Sequence, residues 1–516
     1  MKWPLYIAFV LFALPAAGQQ PALLSMEGFG GEHEDQVLPF VSRTNDGGFV
    51  VHINSGSQTG NVNTSCTTSG SRFVFNKYNS NGSTLEWQDC TPWQQDSNYY
   101  YRFELNNGEI IWGGATTLTG GRDFLIQKRD AAGNVIWTKK YGGTGTELLR
   151  DMIVTDDSCY IMYGISYSND GDVGLHYGSS FSSDLWAIKI DSSGNKLWAV
   201  VVGGSNDDGA RSLSQAPGGG CYLYAGTISS DYDCVTYHGG GDALVARIDG
   251  GGNIMWAKCY GGTSSDGSYG AITHDNNGGA FVATGASSND GDVSNHIGNE
   301  DFWLFSIDSS GSILWDNCFG GGATEFPKAI CISSDGSIWM GGSSSSTNGQ
   351  VGVGYGGGDA WIVHADPFGN YLGSKVLGTN ASDDLRMLYH MSNGMIIAGG
   401  VYRASGLTGD GLPATWSGLY DIFLARFAPW TTSIEDVSMI NSITIYPNPV
   451  SDRLFVSVKS AEDITIAVSD VLGNEVLRGS GQKLESGIDV GAWPRGMYYL
   501  RVTSSNGQSV RGLVLQ

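Results

Sequence analysis

The sequence predicts an all-β fold: a seven-bladed β-propeller of four-stranded blades, closed by strands from the N- and C-terminal ends of that region, followed by a small C-terminal β-sandwich. Three observations carry this prediction. The segment "IDSSGNKLWAVVVGG" from Ile190 returns as "RDAAGNVIWTKKYGG" from Arg129, "IDGGGNIMWAKCYGG" from Ile248 and "IDSSGSILWDNCFGG" from Ile307, a period of about 60 residues that marks a repeat array. Glycine is abundant, at 77 of 516 residues, and charged residues make up only 15%, a mixture suited to many short strands joined by tight turns. After Trp430 the period stops and a shorter alternating apolar pattern takes over.

Each repeat holds four strand-like runs, which in the third are "LLRDMIVTD", "CYIMYGISYS", "DLWAIKID" and "KLWAVVVGG". Asn, Asp and Gly clusters separate the first run from the second, as at 45–48, 106–108, 276–279, 334–336 and 392–394. This is the chemistry of tight hairpins. Between the third and fourth runs stands an Asp-x-x-Gly turn, where Asp bonds back to the backbone and Gly accepts positive φ. Trp87, Trp137, Trp198, Trp256 and Trp315 mark the fourth strand, and Gly373 holds the next equivalent place. Asp123, Asp184, Asp242, Asp301, Asp359 and Asp421 open the third strand, with Arg72 in that place in the first repeat. The two markers together count seven repeats. The seventh supplies only three strands, ending in "YDIFLARFAPW", while "LLSMEGFGG" near the N-terminus aligns with a fourth strand. Joining them closes the ring and leaves no open edge.

Residues 1–18 carry Lys2, an apolar run and small residues at Ala16 and Gly18, the pattern of a cleaved secretory signal. The expected organisation is then a propeller over 19–432, a linker over 433–441 and a β-sandwich over 442–516. No stretch suits a membrane span. The eight cysteines all lie in the exported part, where disulfides are permitted but no pairing follows from spacing. The formal net charge of −23 makes nucleic acid and anionic membranes poor partners. It suits cations, neutral glycans or basic surfaces as partners, or simply solubility.

The tail contains "YPNP" at Tyr446, Pro447, Asn448 and Pro449, "DVLGNEV" at 470–476 with Gly473, "PRGMYYLRV" at 494–502 with Gly496 and Tyr498, and an apolar final strand at 513–515. In order and spacing this resembles the C-terminal sorting domain of type IX secretion substrates. Arg511 stands near the place where such tails usually carry Lys. The resemblance implies export by a signal peptide to the periplasm, then recognition by the outer-membrane machinery, with delivery to the cell surface or the extracellular space. The glycine-rich repeats resemble propeller repeats often placed before such tails, which share no biochemical activity.

Two sets of residues are candidates for chemistry. Asp35, Asp96, Glu147, Asp208, Asp266, Glu325 and Asp384 follow the corner between repeats, and are expected either to ring one mouth of the channel or to form local pairs, Glu147 with Arg150, Asp208 with Arg211 and Glu325 with Lys328, and likewise Asp383 with Arg386. Asp170 and Asp172, Asp231 and Asp233, and Asp290 and Asp292 recur with His176, His238 and His296 in the long loops between second and third strands. Closely spaced carboxylates suit calcium; the same residues also serve as turn formers. No nucleophile elbow, zinc motif, phosphate loop, adjacent-cysteine quinoprotein feature or sialidase arginine cluster is present. The expected function is non-catalytic binding of an extracellular polysaccharide or surface protein, and the alternative is a glycan-active hydrolase or lyase working at the propeller mouth.

Overall fold

The computed structural model describes residues 21–30, 33, 35–57, 72–92, 97–116, 121–275, 277–403, 420–429, 443–446, 450, 452–458, 465–470, 475–480, 487–504 and 507–515. The expected signal segment 1–18 and linker 433–441 lie outside them. The chain divides into two compact units, Met1–Pro429 and Trp430–Gln516.

The first unit consists of seven four-stranded antiparallel sheets. From centre to rim, blade 1 holds Asp35–Arg43, Phe49–Ser55, Arg72–Tyr78 and Leu85–Pro92. Blade 2 holds Ser97–Glu104, Ile110–Thr116, Phe124–Arg129 and Val135–Tyr141; blade 3 holds Glu147–Val154, Tyr160–Ser166, Asp184–Ile190 and Lys196–Val202. Blade 4 holds Asp208–Ala216, Gly220–Thr227, Asp242–Ile248 and Ile254–Tyr260; blade 5 holds Asp266–His274, Ala280–Ala286, Asp301–Ile307 and Ile313–Phe319. Blade 6 holds Glu325–Ile332, Ile338–Ser344, Asp359–Ala365 and Tyr371–Leu377. Blade 7 holds Asp384–His390, Ile396–Tyr402 and Asp421–Phe427, and its outermost strand is Leu23–Phe29. The register runs from Leu23 opposite Phe427 to Phe29 opposite Ile422, and the Arg426 guanidinium donates to Ser25 Oγ at 2.5 Å and Glu27 Oε1 at 3.3 Å. Closure by the N-terminal strand, expected from sequence, is present.

The middle strands are buried on both faces because blades stack face to face. Tyr160–Ser166 and Asp184–Ile190 are buried throughout, so they read as apolar runs rather than alternations. The repeated tryptophans fill the outer part of the gap between blades. Trp198 in blade 3 donates its indole N–H to the Gly250 carbonyl of blade 4 at 3.1 Å, and Trp256 donates to Ser309 of blade 5 at 3.0 Å. Each contacted segment is the next blade's Asp-x-x-Gly turn. There Asp191, Asp249 and Asp308 each accept two backbone N–H groups at 2.8–2.9 Å. Their carboxyls are held below the usual range, Asp249 and Asp308 chiefly by the Asn253 and Ser310 side chains and Asp191 chiefly by the Asn195 N–H. The recurring sequence is therefore one device, a turn and the indole that covers it.

The second unit pairs Ile443–Tyr446, Arg453–Val458 and Ile488–Asp489 in one sheet. The other orders Glu475–Ser480, Thr465–Asp470, Gly496–Ser504 and Gly507–Leu515. Leu454, Val456, Ile466, Val468, Leu500 and Leu515 are among the side chains of its core, the small β-sandwich expected from the alternation. Among the described residues no helix is long and apolar enough to cross a membrane.

Candidate functional site: the central channel and its loop face

The innermost strand of every blade is irregular at about the same height. The pairing with the second strand shifts between Tyr99 and Tyr101, Leu149 and Asp151, Ala210 and Ser212, Pro327 and Ala329, and Leu385 and Met387. It also shifts between Val37 and Val41 in blade 1 and between Asp266 and Gly270 in blade 5. A bulge inserts an unpaired residue and re-aims its side chain. The residues so released are Tyr100, Arg150, Arg211, Lys328 and Arg386, and Leu38 and Tyr269 lie within the longer irregular stretches. All seven line a central cavity of about 770 Å³, and Arg122, just before the third strand of blade 2, joins them.

The cavity is cationic in a protein whose net charge is −23. Arg122, Arg150 and Arg211 are exposed, and among the described residues none of their guanidinium groups has a carboxylate or hydrogen-bond partner. Lys328 and Arg386 share Asp384, at 2.6 and 3.1 Å, and Arg386 also donates to Gln36 at 2.9 Å. The Tyr269 ring has the Arg211 guanidinium on one side and the Lys328 ammonium on another, each 5.4 Å from its centroid. Asp151 is the one carboxylate lining the cavity. Burial pushes it up to about 7, against the opposing bonds from the Leu213 and Met152 N–H groups. At that value it is only partly ionised near neutral pH, and among the described lining residues it stands against five cations.

The corner acids do not ring the channel mouth. Glu147, Asp208, Asp266, Glu325 and Asp383 are buried, and each accepts a backbone N–H from the turn that leads into its own strand. Glu147 accepts from Gly143 N–H at 3.1 Å and from the Ser166 and Ser168 hydroxyls at 2.7 and 2.6 Å. Asp208 accepts from Gly204 N–H at 2.8 Å, Asp266 from Gly262 N–H at 2.8 Å and Glu325 from Gly321 N–H at 2.9 Å. Asp35 accepts from the Ser57 hydroxyl at 2.7 Å. In blade 7 the acid in this place is Asp383, which accepts from Thr379 N–H at 2.6 Å. That corrects the assignment of Asp384, which faces Lys328 and Arg386 instead. Asp96 lies outside the described residues. The cations three residues on are thus separated from these acids by the bulge, and no local Glu147–Arg150 or Asp208–Arg211 pair forms.

The long loops lie on the same face as these corners, and their aspartates bond to corner backbone. Asp170 accepts from Thr144 N–H at 2.7 Å, Asp231 from Ser205 N–H at 2.7 Å and Asp290 from Thr263 N–H at 2.8 Å. Asp233 and Asp292 accept from Gly203 and Gly261 N–H at 3.2 and 3.3 Å, and Asp172 receives the Lys196 ammonium at 2.7 Å. In blade 6 the amides Asn348 and Gln350 make the same two backbone contacts, to Gly322 and Gly320, at 2.7 and 3.0 Å. His238 contacts Asp242 at 3.0 Å, while His176 donates its Nε2–H to the Ser182 carbonyl at 2.9 Å. Among the described residues no group of three or more His, Cys, Asp or Glu is arranged to hold a metal ion. The same loops expose Phe181 at 89% and Tyr232 at 59%, the latter stacked on Tyr177 with centroids 4.5 Å apart. Sequence reasoning missed both the cationic channel and this aromatic pair.

Of the residues assigned to sorting, Tyr446 ends the first strand of the tail and Gly496 opens its third-sheet-position strand Gly496–Ser504. Tyr498 is buried and donates its hydroxyl to Pro494 O at 2.8 Å. Pro447, Asn448, Pro449 and Gly473 lie outside the described residues.

No curated protein matches the chain. Among solved structures it is similar to a protein of unknown function from Dyadobacter fermentans, at 8% identity and TM-score 0.43, over 79% of this chain and 99% of that one. It is also similar to an ulvan lyase of polysaccharide lyase family 25, at 9% identity and TM-score 0.40, over 74% and 93% of the two chains. A protein of unknown function from Bacteroides caccae matches at 9% identity and TM-score 0.30, over 54% and 78%. Residues 444–516 match the family model of the secretion system C-terminal sorting domain. The chain is therefore a β-propeller that carries a type IX C-terminal sorting domain at residues 444–516, which directs it through the periplasm to the cell surface or the extracellular space.

Proposed function

We propose that the propeller is a non-catalytic binding module for an extracellular polysaccharide, taken up at the central channel and the loop face around it. The observation that carries this reading is the ring of bulged side chains. Seven successive innermost strands each release a residue toward one cavity of about 770 Å³, a volume that suits a few sugar residues. Bulges that recur in register at the centre of a fold are features of use rather than of packing, since each forfeits a ladder hydrogen bond. The exposed Tyr177–Tyr232 pair adds an aromatic surface on the same face, the kind of apolar plane on which a sugar ring stacks.

The test is a polysaccharide binding screen on the full chain by calorimetry, with product analysis on the same samples. Saturable binding without new reducing ends or unsaturated product supports the reading. Product exceeding the protein in amount would replace it with the glycan-active enzyme, and a surface protein as ligand would appear as binding to cells stripped of polysaccharide.

A further inference from the structure

Resting on that reading, we infer that the channel selects an anionic glycan, one that carries carboxylate or sulfate groups, with Arg150 and Arg211 as the residues that hold the anion. The global charge argues for the opposite ligand, so the local arrangement has to decide.

Arg150 and Arg211 occupy the same bulged position in neighbouring blades, and both guanidinium groups reach the cavity without any carboxylate to satisfy them. Four repeat positions in this ring are basic and none is acidic: Arg150, Arg211, Lys328 and Arg386. Their flanking corner acids are buried and held by backbone N–H donors. Arg122 brings a fifth cation to the rim from a different strand. A side chain that merely kept the protein soluble would be placed on the outer surface, where water and salt screen it. These five converge in a concave site, where low-dielectric walls focus the field. Free guanidinium groups in a cavity are suited to bidentate recognition of carboxylate or sulfate oxygens. Tyr269, flanked by Arg211 and Lys328 at 5.4 Å each, is placed to meet the apolar face of the sugar that bears the anion.

The experiment is calorimetric titration of the full chain with polygalacturonate, dextran sulfate, neutral dextran and inorganic sulfate. Both anionic polymers should bind, weakening as salt rises, while neutral dextran should not. The exposed, unpartnered side chains allow Arg150→Gln/Arg211→Gln to be made with the fold intact, as an unchanged melting temperature will verify. That variant should lose at least roughly ten-fold in affinity, equivalent to about 1.4 kcal/mol. The double variant Lys139→Gln/Lys140→Gln, on the exposed rim strand of blade 2, removes the same formal charge and should bind as the native chain does. Inorganic sulfate matching the polymer's affinity would overturn the glycan part of the inference and leave a free-anion site. Neutral dextran bound as tightly as the anionic polymers, with no effect of the arginine variant, would overturn the anion selectivity while leaving the channel a glycan site. Binding of none of the polymers would sink the channel reading itself.

Discussion

The indole of Trp198 in blade 3 lies on Gly252 in blade 4, so closely that a Cβ on this glycine would stand 2.6 Å from the Trp198 Cβ. Gly252 also has φ +86°, a region that side chains rarely adopt. The same relation joins Trp256 to Gly311 and Trp315 to Gly369, while at Gly194 Lys139 lies nearer than Trp137. Gly252→Ala should therefore cost roughly 1–3 kcal/mol, from backbone strain and displacement of the indole together. Trp198→Ala, which empties the gap, should cost about 3–5 kcal/mol. Denaturant unfolding followed by tryptophan fluorescence measures both, and a native midpoint in Gly252→Ala would refute the interlock.

Stability should fall as pH rises from about 4 toward 8. Burial raises Asp208 to about 6, Asp151 and Asp383 to about 7 and Asp184 to about 8, whereas in the unfolded chain an Asp ionises near 3.9. Between those values the folded form holds protons that the unfolded form has released, so stability falls as pH rises toward about 8. Histidines act in the opposite direction. Burial lowers His52 to about 3 and His364 to about 4, so the unfolded state takes up their protons first as pH drops from 6.5 toward 4, which offsets part of the gain from the four aspartates without reversing it. Differential scanning calorimetry from pH 4 to 9 should give a melting temperature that falls as pH rises to about 8 and levels beyond it, and Asp184→Asn should flatten the alkaline end of that fall. A melting temperature rising steadily from pH 6 to 9 would contradict the assignment of those burial effects.

Deleting Leu23–Phe29 should leave the edge of Asp421–Phe427 unpaired. An open apolar edge invites pairing with another chain, so the melting temperature should fall and light scattering should register oligomers. A monomer of native melting temperature would show that the ring closes by other means.

Asp170→Asn/Asp172→Asn should leave the loop of blade 3 in place, because in blade 6 the amide Asn348 makes the backbone bond that Asp170 makes here, and the Asp172–Lys196 pair lost with it is partly exposed. If these carboxylates serve the backbone, added calcium raises the melting temperature of the variant and of the native chain by the same small amount. A calcium-dependent rise in the native chain that disappears in the variant would establish a calcium site, through the linkage of binding to folding.

A chain ending at Thr432 should melt as the full-length propeller does, yet remain in the periplasm of a host that carries type IX machinery. Surface delivery of that shortened chain would remove the tail from its role in sorting.

The residues that hold the blades together were legible because packing repeats with the fold. Trp198 and its equivalents recur at fixed spacing, since every outer hairpin must cover the next. The bulges were not legible: an extra residue in a strand changes which way Arg150 points without changing the apolar pattern around it. Hence Arg150 and Arg211 read as partners of Glu147 and Asp208, when the bulge turns them away. In blade 7 two acids stand side by side: Asp383, four residues after Thr379, takes the corner N–H as Asp208 takes that of Gly204, while Asp384 opens the strand, and the sequence alone does not tell them apart. Net charge misled for another reason. A sum over the whole chain carries no information on where opposite charges are segregated.

Ring closure also sets an order of events. The strand Leu23–Phe29 leaves a translocation pore some 400 residues ahead of its partner, Asp421–Phe427. Until that partner follows, the first strand has no edge to join, and contacts so distant in sequence form slowly. The sorting tail begins only a short way beyond that partner. Its arrival on the periplasmic side therefore signals that every strand of the propeller is already there, so recognition of the tail doubles as a mark of completeness, and a chain truncated before its last blade would carry no ticket for the outer membrane.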